Sequence, residues 1–79
     1  MPSSNVQLVI HFIFTPKYRR PVFTPQVAQR LQVIIRERCD ELNVEILALA
    51  VEPDHVHLLV DLPPTLPADK LARYIKGRS

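Results

Sequence analysis

Two histidines stand one residue apart in the segment Glu52-Pro53-Asp54-His55-Val56-His57-Leu58-Leu59-Val60-Asp61. Because successive side chains of a β-strand point to opposite faces, His55 and His57 share one face, about 6.7 Å apart, while Val56 points to the other. Two imidazoles on one face can bind a divalent metal ion, and a metal beside a phosphate can polarise it or stabilise the leaving oxygen. The alternative is a pair of half-exposed strand histidines without a ligand. The pattern makes His55 and His57 candidate metal ligands.

Apolar and β-branched runs predict the strands that position this pair. Residues 44–52 form a strand, and a tight turn joins it to the histidine strand, so the two should be an antiparallel hairpin. Residues 6–14 predict a further strand, buried on both faces or nearly so. Its less apolar row contains His11. His11 could lie near the histidine pair if the two strands are neighbours, but the favoured prediction is a hydrogen-bonded core histidine.

Two helices complete the predicted order of elements. Thr24, followed by proline, caps an amphipathic helix of about four to five turns, with an inward row that starts at Val27 and an end at Asn43. A second helix, capped by Thr65, should end at Gly77. The order β-α-β-β-α predicts an α+β, ferredoxin-like (RRM-like) fold with an antiparallel sheet and both helices on one face. The final strand of that fold is missing, which leaves a bare sheet edge and predicts a homodimer or domain swap.

Length and composition predict one domain, residues 1–79. A hydrophobic fraction of 47% and a charged fraction of 23% are typical of ordinary globular chains and exclude a disordered or fibrous class. No apolar run approaches the roughly 20 residues of a membrane span, and the N-terminus does not resemble a signal peptide, so we expect a cytoplasmic protein without a membrane partner. The single cysteine, Cys39, cannot form an internal disulfide and is expected to serve packing.

The charge distribution is more informative than the net charge of +2, which by itself does not indicate nucleic acid. Two basic clusters could hold a phosphate backbone. The first is the loop Lys17-Tyr18-Arg19-Arg20, and the second lies near the C-terminus and comprises Arg73, Lys76 and Arg78. Solvated surface charge is the alternative explanation for either cluster.

Three blocks of the sequence carry a family resemblance. They are His11-Phe12-Ile13-Phe14-Thr15-Pro16-Lys17-Tyr18-Arg19-Arg20-Pro21-Val22-Phe23, then Glu52-Pro53-Asp54-His55-Val56-His57-Leu58-Leu59-Val60, then Ile75-Lys76-Gly77-Arg78-Ser79. In order and spacing they resemble the small single-tyrosine HUH transposases of bacterial and archaeal insertion sequences, the IS200-like type. The resemblance runs from about residue 5 to the last residue.

The resemblance implies a DNA strand transferase that acts on single-stranded, hairpin-bearing ends. In that family the histidine pair, matched here by His55 and His57, holds Mg²⁺ or Mn²⁺ on the scissile phosphate. A tyrosine on a later helix attacks and leaves a 5′-phosphotyrosine, which conserves the energy of the phosphodiester bond. The DNA-contacting positions matched in this sequence are Lys17, Tyr18, Arg19, Arg20, Lys76 and Arg78.

The resemblance ends before the family's last strand and the helix that carries its nucleophilic tyrosine. Tyr18 and Tyr74 do not match that tyrosine, so no catalytic residue is carried over, and we expect a truncated transposase that is inactive alone. The competing interpretations are a non-catalytic nucleic-acid-binding remnant and an inert fragment that dimerises through its bare edge. An RNA-recognition sheet should present stacking aromatics on its central strands, which His55, His57 and Leu59 do not supply.

Overall fold

Three antiparallel strands and two helices make up the described part of the chain. A computed structural model describes residues 8–16 and 20–77. The elements are β1 (Leu8–Phe14), α1 (Pro25–Glu41), β2 (Glu45–Glu52), β3 (His55–Leu62) and α2 (Ala68–Lys76). The order β-α-β-β-α and the antiparallel sheet confirm the predicted α+β fold class.

The histidine strand β3 lies in the centre of the sheet, whose strand order is β1-β3-β2. β1 pairs with β3 from Leu8 opposite Leu62 to Phe14 opposite Val56. β2 pairs with β3 as the predicted hairpin, with Glu52 opposite His55 and one irregularity of register between residues 46 and 48. Each histidine of β3 therefore has a strand on both sides.

The two faces of β3 differ sharply in burial. The side chains of Val56, Leu58, Val60 and Leu62 are at most 3% exposed and pack in one cluster with Ile35 and Cys39 of α1 and Leu71 of α2. The alternate residues of β3, which include both histidines, are only half-buried. The helices therefore cover one face, and the histidine row lies on the opposite face, which we call the open face.

Strand β1 is less buried than its composition predicts. Leu8, Val9 and Ile13 are 41%, 47% and 57% exposed, so the prediction of a strand buried on both faces is wrong. The row of Ile10, Phe12 and Phe14 packs against the core, while Val9 and Ile13 lie in the alternate row, on the open face. An apolar run cannot reveal this difference, because the same composition fits a covered face and an uncovered one.

Helix α1 begins and ends as predicted. The Thr24 hydroxyl accepts a hydrogen bond from the Val27 backbone N–H at 3.3 Å, and Pro25 occupies the first helical position. Asn43 follows the helix with φ +58°, a left-handed conformation that asparagine tolerates better than most residues. Val27 is 41% exposed, so the inward row starts later than predicted, and its fully covered members are Ile35 and Cys39.

Helix α2 begins later than predicted. Its N-cap is Pro67, which offers no side-chain cap, so the prediction of Thr65 as the cap is wrong. The prolines between residues 63 and 67 prevent an earlier start, and a turn with Leu66 N–H donating to Pro63 O fills this segment. Gly77 ends the helix with φ +85°, as its position predicts. In the part of the chain that the structure describes, no helix has the length and apolarity to cross a membrane.

Candidate metal and nucleic-acid site

His55 is held by its sequence neighbour. The turn between β2 and β3 places Asp54 so that its Oδ1 lies 2.6 Å from His55 Nδ1. A carboxylate only accepts hydrogen bonds, so the proton of this bond is on Nδ1 of the imidazole. In the neutral ring that tautomer leaves the lone pair on Nε2. Asp54 thus selects Nε2 of His55 as the nitrogen available to a ligand.

His57 is held from the neighbouring strand. His11 Nε2 lies 3.1 Å from His57 Nδ1, and the two rings stack with centroids 5.3 Å apart and planes 21° apart. This contact arises because Ile13 pairs with His57, which places His11 diagonally across from it on the open face. His11 is exposed. The favoured prediction of a core histidine is wrong, because this row of β1 does not face the helices, and the alternative of proximity to the pair is confirmed.

The two histidines of β3 stand close together on the open face. Their ring centroids are 4.5 Å apart, and the rings are nearly perpendicular, at 84°. Nδ1 of His55 contacts Asp54, and Nδ1 of His57 contacts His11. In both rings of β3 the contact to the neighbouring side chain is made by Nδ1 rather than by Nε2.

Small residues on β2 leave space beside His57. Ala50 lies directly opposite His57, and Ala48 lies opposite Leu59. A shallow cavity of about 250 Å³ opens there, lined by His11, Ala48, Leu49, Ala50, His57 and Leu59. A second opening of about 290 Å³ lies on the other side, lined by Ile13, Thr15, Asp54, His55 and His57. His57 borders both openings, so a ligand can approach the pair from either side.

The donor set of this site is a pair of imidazoles. Among residues 8–16 and 20–77 there is no group of three or more His, Cys, Asp or Glu side chains arranged to hold a metal ion. Two imidazole nitrogens suit a borderline divalent ion such as Mn²⁺ and leave most of its coordination positions to other donors. The chemistry of the pair therefore fits a metal that is shared with a substrate.

The loop between β1 and α1 returns to the histidine end of the sheet. Phe23 N–H donates to Pro53 O at 3.0 Å, which ties the loop to the turn beside His55. Arg20 is exposed on this loop. Lys17, Tyr18 and Arg19 lie outside the described residues, and so does Arg78 of the second cluster. The structure therefore places one predicted DNA-contacting residue of the loop, and places it on a segment anchored beside the histidines.

Lys76 also lies at the histidine end, on the helix side of the sheet. Its Nζ is 5.9 Å from the centre of the Phe14 ring. Phe14 pairs with Val56, the residue between the two histidines. Since Val56 faces the core, Lys76 and the histidine row lie on opposite faces of the same end of the sheet.

A basic cleft between α1 and α2 was not foreseen from the sequence. It measures about 720 Å³ and is lined by Arg38, Lys70, Arg73, Tyr74 and Gly77. The Arg38 guanidinium lies 5.1 Å from the centre of the Tyr74 ring, and the Tyr74 hydroxyl donates a hydrogen bond to Glu41. Arg38, which lies in the inward row of α1, is the sequence signal that could have predicted this cleft. Tyr74 is engaged in the helix layer, across the sheet from His55 and His57.

The comparisons with known proteins agree with this architecture. The family model described as "Transposase IS200 like" matches residues 4–79. The chain belongs to the IS200-like transposase family. The match includes the histidine pair, the loop between β1 and α1 and helix α2.

Three members similar to this IS200-like chain give the extent of the match. The transposase for insertion sequence element IS200 of Salmonella typhimurium is 36% identical over 69 residues, which cover 87% of this chain and 45% of that protein. The ISDra2 transposase TnpA of Deinococcus radiodurans is 36% identical over 73 residues, which cover 92% of this chain and 52% of that protein. The crystal structure of a proposed transposase from Deinococcus radiodurans superposes with a TM-score of 0.88 at 32% identity, covering 98% of this chain and 59% of that one. The chain spans about half the length of the curated relatives it matches.

Proposed function

We propose that this chain provides the metal-binding and DNA-gripping part of a transposase that cleaves and rejoins single-stranded DNA. The observation that carries the proposal is the pair His55 and His57, which stand side by side on the open face with both Nδ1 atoms already bonded. In a member of a transposase family, the substrate with phosphates to bind is DNA.

His55 and His57 would hold a divalent metal ion through Nε2. Mg²⁺ and Mn²⁺ both serve phosphate chemistry, and imidazole ligands favour Mn²⁺ of the two. When bound, the ion supplies polarisation of the scissile phosphate. The protein supplies orientation: Asp54 and the β1–β3 pairing hold the two rings, and the small side chains of Ala48 and Ala50 leave room beside them.

The basic residues around the histidine end would position the DNA backbone. Arg20 lies on the loop tied to Pro53, and Lys76 lies on the helix side of the same end. The family resemblance adds Lys17, Tyr18, Arg19 and Arg78 to this set. Such contacts set the register and orientation of the strand without reading its sequence. We propose single-stranded DNA with hairpin ends as the ligand.

The nucleophile of the proposed reaction is a tyrosine that lies outside this chain. Its oxygen would bond to phosphorus as the bond to the 3′-oxygen breaks, which gives a 5′-phosphotyrosine and a free 3′-hydroxyl. Tyr74 is an unsuitable nucleophile because it lies in the helix layer beside Arg38 and Glu41, across the sheet from His55 and His57. Another chain that carries the tyrosine helix would have to supply the nucleophile. In the described part of the chain the outer edge of β1 pairs with no strand, and we propose this edge as the surface of a homodimer. We place the reaction in the cytoplasm.

The test of the metal site is calorimetric titration of the chain with Mn²⁺. His57→Ala should weaken Mn²⁺ binding by at least tenfold, because half of the imidazole donor set is lost. Leu59→Ala is the matched control, since Leu59 lies in the same row of β3 without a donor atom. Equal heats for His57→Ala and the unmodified chain would refute the metal site.

The test of the reaction is a covalent-adduct assay. The chain is mixed with a labelled single-stranded hairpin oligonucleotide and Mn²⁺, and is then run on a denaturing gel. We expect binding without an adduct. An adduct that requires Mn²⁺ and disappears in His57→Ala would show that the chain carries its own nucleophile. If no hairpin binding is measured, the DNA-gripping role is wrong, and the alternative of a nucleic-acid-binding remnant is wrong with it.

A further inference from the structure

We infer that His11 is a positioning residue for His57: its Nε2 accepts the hydrogen bond from His57 Nδ1–H and so leaves His57 Nε2 free for a metal. The metal part of this inference rests on the proposed function. The contact between the two rings does not rest on it, whereas the direction of the hydrogen bond follows from the requirement for a free Nε2 on His57.

The inference follows from the proton count of two neutral imidazoles. A neutral ring carries one N–H and one lone pair. The contact between His11 Nε2 and His57 Nδ1, at 3.1 Å, is a hydrogen bond only if one of these two atoms carries the proton. If His11 donates, the proton of His57 lies on Nε2, where it blocks a metal. If His57 donates, Nε2 carries the lone pair. Only the second arrangement gives a metal ligand.

The arrangement at His55 supports this assignment. Asp54 accepts from His55 Nδ1 and leaves Nε2 as the free nitrogen. With His11 as acceptor, both rings of the pair have the same tautomer and present the same nitrogen. Their orienting groups come from different elements, Asp54 from the turn before β3 and His11 from β1. A hydrogen-bonded group behind a ligating histidine fixes both its tautomer and its ring orientation.

The register of the sheet is what places His11. Ile13 pairs with His57, so His11 reaches it diagonally on the open face. A shift of β1 by one residue would turn His11 to the helix side and remove the contact. The hydrogen bond is therefore available only when β1 and β3 are correctly paired.

The test uses two substitutions of His11 and one neighbouring control. His11→Phe keeps a planar ring and removes the acceptor, whereas His11→Gln keeps an acceptor atom at about the same distance from the backbone. Loss of an orienting group behind a metal ligand typically lowers metal affinity about 10- to 100-fold. We expect His11→Phe to weaken Mn²⁺ binding by about tenfold or more and His11→Gln to restore most of it. Val9→Ala is the control: Val9 is on the same strand and face, pairs with Asp61 and lines neither opening, so this variant should bind Mn²⁺ as the unmodified chain does.

A second readout needs no metal. Nitrogen-15 NMR of the imidazole rings distinguishes the Nδ1–H from the Nε2–H tautomer. We expect His57 to be in the Nδ1–H form in the metal-free chain and to lose that preference in His11→Phe. An Nε2–H form of His57 in the unmodified chain would overturn the inference, as would equal Mn²⁺ affinity in His11→Phe.

The two readouts separate this inference from the proposed function. If the unmodified chain binds no Mn²⁺, the proposed metal site fails. The tautomer of His57 then decides the role of His11 by itself. An Nδ1–H form that depends on His11 supports the orienting role, and an Nε2–H form refutes it.

Discussion

Leu58 and Leu59 are adjacent in β3, and comparing them tests which face of the sheet carries the site. Leu58 is 0% exposed and packs in the core, with Phe12 and Leu49 as its partners on the flanking strands. Leu59 is half-buried and lies in the row of the two histidines. If the histidine row faces away from the helices, truncating the two leucines must have unequal consequences.

The expected magnitudes follow from burial. Leu58→Ala removes side-chain atoms from a closely packed site, and such truncations cost about 3 kcal/mol of unfolding free energy, within a range of about 2 to 5. A 79-residue domain has roughly 4–12 kcal/mol of stability in total. The loss corresponds to a fall in Tm of roughly 15 °C in a domain of this size. Leu59→Ala removes a side chain that is already partly in water and should cost about 1 kcal/mol or less.

The assay is urea unfolding followed by circular dichroism, with thermal melts as a second measurement. The midpoint for Leu58→Ala should fall well below that for Leu59→Ala, and a Leu58→Ala chain that is already unfolded beside a folded Leu59→Ala agrees with the same expectation. Equal losses, or a larger loss for Leu59→Ala, would refute the assignment of the histidines to the open face.

Three further predictions concern the site and the core. Asp54→Ala should weaken Mn²⁺ binding by about tenfold, because His55 loses its orienting acceptor, and calorimetry measures the change. Arg20→Gln should lower affinity for a single-stranded hairpin oligonucleotide and flatten its salt dependence by about 0.7 in the log–log slope, as one phosphate contact is lost, which fluorescence anisotropy at several salt concentrations measures. Burial raises the pKa of the Cys39 thiol above its ordinary 9.0, so the unfolded chain loses this proton first. The contribution to stability is therefore complete below about pH 9 and is lost as the pH rises through the higher folded-state pKa. Urea unfolding from pH 7 to pH 10 should show a steeper decline in the unmodified chain than in Cys39→Ala.

Each of these predictions has a control and a contrary result. Asp54→Asn keeps a hydrogen-bond acceptor and should retain most of the Mn²⁺ affinity. If both Asp54 variants lose the same Mn²⁺ affinity, the carboxylate does not act as a hydrogen-bond acceptor for His55. Arg30→Gln, on an exposed part of α1, should leave the salt slope unchanged, and an identical effect of the two arginine substitutions would remove the loop from the DNA site. Parallel pH profiles for Cys39→Ala and the unmodified chain would show that the thiol does not contribute to the alkaline loss of stability.

Much of this protein can be predicted from local patterns in its sequence. The alternation around His55 and His57 determines that they share a face, because strand geometry alone sets that periodicity. Thr24, Pro25 and Asn43 determine where α1 begins and ends, because capping depends on a few neighbouring backbone groups. The order of elements, and with it the fold class, follows from the same local signals.

The tertiary structure decided what depends on contacts between distant residues. The pairing of β1 with β3 brings His11, 46 residues away in sequence, to His57. The meeting of α1 and α2 forms the cleft between Arg38 and Tyr74. The exposure of Val9 and Ile13 depends on which face of the sheet the helices cover. Periodicity within one segment carries no information on register or layer packing, so these features were decided only when the strands paired and the helices packed on one face.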